Sequence, residues 1–298
     1  MASQRDVKNK IASVKNIQKI TRAMEMVAAA RLRRAEQRIE ALRPYASALR
    51  RMTGQAARAA GTEVSGLPLL HAHDSETNVG LLLVTGDRGL AGGFNSQIIR
   101  AGLRLSSELS EKGQQSVWYA TGRRGVSSLG FRGRDLSGSY TGFSDRPAFA
   151  DARAVAGDIM AAYIEGRVDR VELIYNRYVS PLTQTVTQET LLPLTHAMVE
   201  GEDGEGSDEP RRPTPVEYEP EPDKILRRLV PDYVEISIYR ALVESAAGFF
   251  GAQMTAMRSA SDNAGEIITQ YTLQMNRARQ AEITQEIMEV VAGAEGLA

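Results

Sequence analysis

Between Asp232 and Gly293, small and apolar residues recur in alternating steps of three and four, with glutamine at two of the places: Val243, Ala246, Phe250, (Gln253), Met257, Ala260, Ala264, Ile267, Tyr271, (Gln274), Ala278 and Ala281. That alternation keeps one stripe on one face of an α-helix, and sustaining it over several heptads is the mark of a supercoiled seam. No proline follows Pro231. About sixty residues at ~1.5 Å each make a rod of roughly 90 Å, far beyond an ordinary globular helix. A stripe of that length must be covered by a partner.

The other end of the chain supplies a matching stripe: Val7, Ile11, Val14, Ile20, Met24, Val27, Ala35, Ile39, Leu42, Ala46 and Leu49. Charge agrees with pairing. Residues 1–60 hold fourteen Lys/Arg against four Asp/Glu, whereas residues 232–298 hold four Arg against nine Asp/Glu. Opposite fields help select partner and register, although exposed ion pairs add little stability one by one. Ser3 with Asp6 predicts a capped start for the first helix. Pro44 predicts a kink, since an interior proline removes a backbone hydrogen bond. Gly54 and Gly61 predict fraying and the end.

Between the two helices the period changes. Residues 61–77 read as a connector. Val79-Gly-Leu-Leu-Leu-Val84 is a continuous apolar run, as in a buried strand. A helix is predicted over about 95–112, a strand over 116–120, and a short helix over 122–129. Residues 130–145 read as turn-rich. A helix over 149–165, a strand over 168–175 and an alternating edge strand over 182–192 follow. This order predicts a mainly parallel, Rossmann-like α/β layer domain over 78–195. Residues 199–223 hold ten Asp/Glu against two Arg, with five prolines, so 196–223 is predicted as an acidic loop. The predicted fold is therefore α+β: a long antiparallel coiled coil of helices 1–60 and 224–298, with the α/β domain inserted between them.

Several chemistries are excluded or disfavoured. The chain has no cysteine, so thiolate catalysis, disulfides and zinc–thiolate sites are ruled out. The opening Met-Ala-Ser-Gln-Arg-Asp lacks an apolar signal core, and no run reaches the ~20 apolar residues of a membrane span, so a soluble, cytosolic chain is expected. The glycine-rich turn Gly86-Asp-Arg-Gly-Leu-Ala-Gly-Gly93 sits between a strand and a helix, where phosphate can be cradled. It matches neither G-x-G-x-x-G nor the P-loop, because Phe94 follows Gly93. A tight turn presenting Asp87 and Arg88 is the better reading. His71 and His73 lack further ligands for a metal, and His196 stands alone beside the acidic loop. No catalytic constellation, metal site or cofactor site is expected. The basic first helix leaves open a nucleic-acid-binding or scaffolding coiled coil. A nucleotide-dependent enzyme built on the central domain is a second alternative.

Four separated stretches then carry a resemblance. They are Ile11-Ala-Ser-Val-Lys-Asn-Ile-Gln-Lys-Ile-Thr-Arg-Ala-Met-Glu-Met-Val-Ala-Ala29, Asp87-Arg-Gly-Leu-Ala-Gly-Gly-Phe-Asn95, Met257-Arg-Ser-Ala-Ser-Asp-Asn-Ala264 and Asn276-Arg-Ala-Arg-Gln-Ala-Glu-Ile-Thr-Gln-Glu-Ile287. In this order they resemble the gamma subunit of F-type ATP synthase, over most of the chain except the acidic 199–216 insertion.

The resemblance implies a non-catalytic rotor. Its two terminal helices would stand inside the ring of alpha and beta subunits, and its α/β domain would sit beside epsilon on the ring of c subunits. Neither nucleic acid nor direct membrane insertion is implied. The protein would lie peripherally on the cytoplasmic face of a bacterial plasma membrane. Residue by residue, Arg279 and Gln280 match the pair that catches a beta loop, with Thr284 and Glu286 further along the same stretch. Arg22, Met24 and Glu25 match the part facing the acidic lever of beta, and Arg88 matches a cation of that same contact. Ile287, Val290 and Val291 match the tail in the apical sleeve. Tyr218 and Glu219 match the foot on the c ring.

Overall fold

The computed structural model describes residues 4–60, 67–194 and 221–295. Ser3, His196, Tyr218, Glu219 and nearly all of the acidic loop lie outside the described residues. In chain order the elements are α1 (Gln4–Ala60), a 3₁₀ turn (Pro68–Leu70), β1 (Asn78–Val84), α2 (Phe94–Glu111), β2 (Gln115–Thr121) and α3 (Arg123–Phe131). There follow β3 (Leu136–Tyr140), α4 (Phe149–Ile164), β4 (Arg170–Ser180), β5 (Thr183–Leu192) and α5 (Pro222–Glu295). Two compact units result: Met1–Ala29 with Gln253–Ala298, and Ala30–Ala252.

The first unit is a pair of helix segments. Lys10 lies 5.9 Å over the Tyr271 ring, the Gln18 amide donates to the Ser261 carbonyl at 3.2 Å, and Arg258 pairs with Glu25 at 2.8 Å. As numbers rise along α1 they fall along α5, so the segments run antiparallel, as the sequence predicts.

The seam itself differs from the sequence reading. Val7, Ile11, Val14, Gln18, Thr21, Glu25 and Ala28 of α1 are buried or half-buried in an unbroken 3–4 alternation, with Gln4, Met24 and Ala29 half-buried beside them. Ile20 and Val27, which the sequence assigned to the seam, are 58% and 52% exposed. Hydrophobicity misled at those positions because three polar residues, Gln18, Thr21 and Glu25, hold the inside places. Gln18 spends its amide on the opposite backbone, and the Thr21 hydroxyl donates to the Gln18 carbonyl at 3.0 Å. A polar group so bonded is tolerated in a seam and helps fix register. On α5 the same shift occurs. Ile268 and Met275 are half-buried, whereas Ile267 and Gln274 are exposed.

The second unit is built on a five-stranded sheet in the order β3-β2-β1-β4-β5. The first four strands are parallel and β5 runs antiparallel at the edge. Central β1 is buried from Val79 to Val84, which explains its continuous apolar run. One face packs against Val155, Ile159 and Tyr163 of α4 and Val230, Val234 and Ile238 of α5 in a single apolar cluster with Leu82, Val84 and Tyr175. Across the sheet, α2 approaches so closely that a Cβ on Gly102 would stand 2.9 Å from Leu83. Arg240 pairs with Glu189 at 2.6 Å, fastening α5 to β5.

Local expectations differ at β3 and at Gly54. β3 falls within the stretch read as turn-rich, because Leu-Ser-Gly-Ser-Tyr has no apolar run and sits at a sheet edge. Helix α1 continues past Pro44, as expected of a kink rather than a stop, but Gly54, expected to mark fraying, is buried inside it. Helix α5 begins at Pro222, two residues before the expected start at 224, and includes Pro231.

Candidate functional site

The glycine-rich turn after β1 is closed from within. Asp87 stands at its start, and its carboxylate accepts backbone N–H bonds from Arg123 (3.0 Å), Gly142 (3.0 Å) and Ser144 (3.1 Å), and the Ser144 hydroxyl (2.8 Å). Burial pushes this carboxyl up, but the hydrogen bonds from Gly142, Ser144 and Arg123 outweigh it and hold Asp87 below its ordinary value. The Asn95 side chain braces the turn, accepting from Gly86 N–H at 2.8 Å and donating to the Arg88 carbonyl at 3.1 Å. The Asp87 N–H donates to Ser144, and those of Phe94 and Gln97 to carbonyls within the turn. A phosphate would find the N–H groups of Gly86, Asp87, Phe94 and Gln97 already spent, which weakens a nucleotide cradle at this turn.

Arg88 points the other way. Its guanidinium is 64% exposed and lies 3.5 Å from Asp145, which also receives Arg31 at 3.2 Å. Leu90, beside it, is exposed with a φ of +64°, a conformation that non-glycine residues adopt at some cost. The turn therefore presents one cation and one apolar side chain on an internally pinned scaffold.

His73 is committed elsewhere. Its Nδ1 lies 2.9 Å from Asp169, and its ring stacks on Tyr163 with centroids 4.5 Å apart. Asp169 also accepts the Thr77 and Asn78 N–H groups, so this cluster clasps the connector onto the start of β1. Among the described residues no group of three or more His, Asp or Glu side chains could hold a metal ion.

The paired helix segments carry the other predicted residues. Arg22 is exposed, Met24 is half-buried and Glu25 is tied to Arg258 across the seam. Outside the seam, Ile17, Ile20 and Val27 are exposed, and with Met24 they are spaced 3, 4 and 3 apart. They form a second apolar stripe on α1. Extending the 3–4 alternation from Val7, Ile11 and Val14 finds it, because the next inside positions fall on Gln18, Thr21 and Ala28. Past Ala278, every residue of α5 from Arg279 to Ala292 is exposed. Arg279, Gln280, Thr284 and Glu286 are among these, and the Thr284 hydroxyl donates back to the Gln280 carbonyl at 2.9 Å. Ile283, Ile287, Met288, Val290 and Val291 all stand in solvent, Val290 at 72%. So large an apolar set on one helix end marks an interaction surface.

The ATP synthase family model matches residues 3–297. The chain is 42% identical over 298 residues to the ATP synthase gamma chain of Rubrobacter xylanophilus, covering 100% of this chain and 99% of that one. It is 43% identical over 306 residues to that of Frankia casuarinae, at 100% and 99% coverage. The chain belongs to the ATP synthase gamma chain family. Solved structures agree in fold. The rotor of Euglena gracilis mitochondrial ATP synthase aligns with a TM-score of 0.65 at 16% identity, covering 94% of this chain and 98% of that chain. The central stalk and c ring of the Tetrahymena thermophila mitochondrial enzyme aligns at 0.61 and 24% identity, with 81% and 99% coverage. For a member of this family, Tyr218 and Glu219 are the one predicted contact that lies outside the described residues.

Proposed function

We infer that this chain is the central-stalk rotor subunit of a proton-translocating ATP synthase. It catalyses nothing by itself and couples rotation of the c ring to the conformational cycle of the beta catalytic sites. Full-length identity to gamma chains supports the role. The observation that carries the mechanism is the exposed end of α5, where Arg279 to Ala292 have no covering partner among the described residues. A shaft must turn without sticking, so most of its surface should make weak apolar contacts, and strong polar bonds belong at a few angular stops.

On that reading, Arg279 and Gln280 catch a beta loop, with Thr284 and Glu286 beyond them. Ile287, Val290 and Val291 run in an apolar sleeve formed by the alpha and beta subunits. Arg22 and Met24, with the outer stripe of Ile17, Ile20 and Val27, face the acidic lever of beta. Glu25 serves there by fixing register through Arg258, and Arg88 adds a cation from the glycine turn. Tyr218 and Glu219 form the foot on the c ring, beside epsilon. The working division is a coiled coil of 1–60 with 224–298, a connector over 61–77, the α/β domain over 78–195 and the acidic loop over 196–223. No described helix is long and apolar enough to cross a membrane. The subunit is proposed to lie peripherally on the cytoplasmic face of a bacterial plasma membrane.

The test is the double exchange Arg279→Ala with Gln280→Ala. Both side chains are exposed, so the isolated chain should keep its helicity and melting temperature. Coupled ATP synthesis by the assembled complex should fall several-fold. Unchanged synthesis would remove the catch from these residues.

A further inference from the structure

One cleft in the sheet-bearing unit belongs to none of these contacts. It encloses about 360 Å³ and is lined by Arg31, Arg34 and Arg38 of α1 and by Asp145 and Arg146 from the segment between β3 and α4, over an apolar floor that includes Phe250. The three α1 arginines stand at i, i+3 and i+7 and so share a helix face. Arg31 is fixed in place, 5.7 Å over the Phe250 ring and 3.2 Å from Asp145. Asp145 is the one carboxylate in the lining, and Arg31 and Arg88 already share its charge. Arg34, Arg38 and Arg146 make no side-chain ion pair with a described residue.

We propose that this cleft binds a compact di- or triphosphate. With Arg31 spent on Asp145, the three guanidinium groups of Arg34, Arg38 and Arg146 leave more positive charge than a single carboxylate ligand could offset. The planar guanidinium fork is matched to phosphate oxygens, which it binds bidentately. The volume lies at the lower end for small-molecule sites, so it suits a compact anion better than a length of acidic polypeptide. The apolar floor is nearly closed, with Ala35, Val243, Ala246 and Phe250 each no more than 5% exposed, so the phosphates carry the recognition. This site is not the glycine turn, although Arg88 of that turn reaches its Asp145, and its proposal does not depend on the rotor reading.

The experiment is calorimetric titration of the full-length chain with sodium pyrophosphate, with ADP, and with a short Asp/Glu peptide. One saturable site for pyrophosphate or ADP is expected, weakening as salt is raised. Equal binding of ADP and pyrophosphate would assign the affinity to the phosphates alone; tighter binding of ADP would add a contact to the nucleoside. Either result supports the site. Arg34→Gln with Arg38→Gln, which keeps good helix formers in α1, should lower affinity at least about tenfold. Arg146→Ala should lower it without touching α1. Arg104→Ala, a change on exposed α2 outside the cleft, should leave it unchanged. No saturable binding of either phosphate ligand would overturn the proposal. So would binding that survives the cleft variants, or an acidic peptide that binds more tightly than pyrophosphate.

Discussion

Gly122→Ala will cost the sheet-bearing unit roughly 4 kcal/mol or more, a large share of the ~5–15 kcal/mol that holds a domain folded. Gly122 follows β2 with φ +84° and ψ 137°, a region that essentially only glycine occupies. A Cβ there would stand 2.1 Å from the Thr85 carbonyl oxygen and 2.6 Å from its carbon. Both are backbone atoms, so no side chain can swing aside. Retreat of that backbone would break the 3.0 Å bond from Thr85 N–H to the Thr121 carbonyl and the 2.7 Å bond from Gly122 N–H to the Tyr140 carbonyl. It would also disturb the turn that presents Arg88. Gly133→Ala is the control, since Gly133 has φ +67° but nothing within 4 Å of its Cβ position. It should cost only about 1–2 kcal/mol. Urea unfolding of the two variants measures the difference. Equal losses would mean that the close approach at Thr85 does not govern this turn.

Two adjacent residues on α1 should respond in opposite ways to the same exchange. Ala28 is fully buried in the paired-helix unit, whereas Val27 is 52% exposed. Ala28→Asp forces an unpaired carboxylate into the seam and should cost roughly 3–5 kcal/mol, the penalty of an uncompensated buried charge. Hydrogen exchange should show residues 4–29 and 253–278 losing protection together. Val27→Asp should leave that protection within about 0.5 kcal/mol, as an exposed substitution does. Its effect should appear in the assembled complex, where a carboxylate on the outer stripe would oppose the acidic beta lever proposed to face it and lower coupled synthesis several-fold. If Val27→Asp melted the pair and Ala28→Asp did not, the seam would follow hydrophobicity, and Gln18 and Thr21 would not hold its inside places.

That contrast also marks what the sequence could disclose. The antiparallel pairing was legible because matching stripes and opposite charges at the two ends leave little else for long helices to do. The buried strand at Val79–Val84 announced itself as an uninterrupted apolar run. The seam's course between Val14 and Ala28 was less accessible, because Gln18 and Thr21 are inside only by virtue of bonds to backbone carbonyls that a pattern of hydrophobicity does not register. β3 escaped for a related reason. A short edge strand of Ser and Gly is held by its neighbour's ladder rather than by its own composition. In the glycine turn, the motif was visible but the direction of Asp87 was not. Its partners come from residues 123, 142 and 144, far along the chain. The arginine cleft likewise joins α1 to a distant segment, and spacing along one helix could disclose only half of it.

Rotation of this chain is what every contact assigned along α1 and α5 presupposes. Because the chain contains no cysteine, Phe131→Cys gives a single attachment point, at a side chain 90% exposed at the end of α3. With the head of the complex fixed to a surface through its beta subunits, a bead on that residue should rotate in one direction when ATP is supplied and stop when it is exhausted. A bead that stays still while the same complexes hydrolyse ATP at full rate would contradict the assignment of this chain as the rotor.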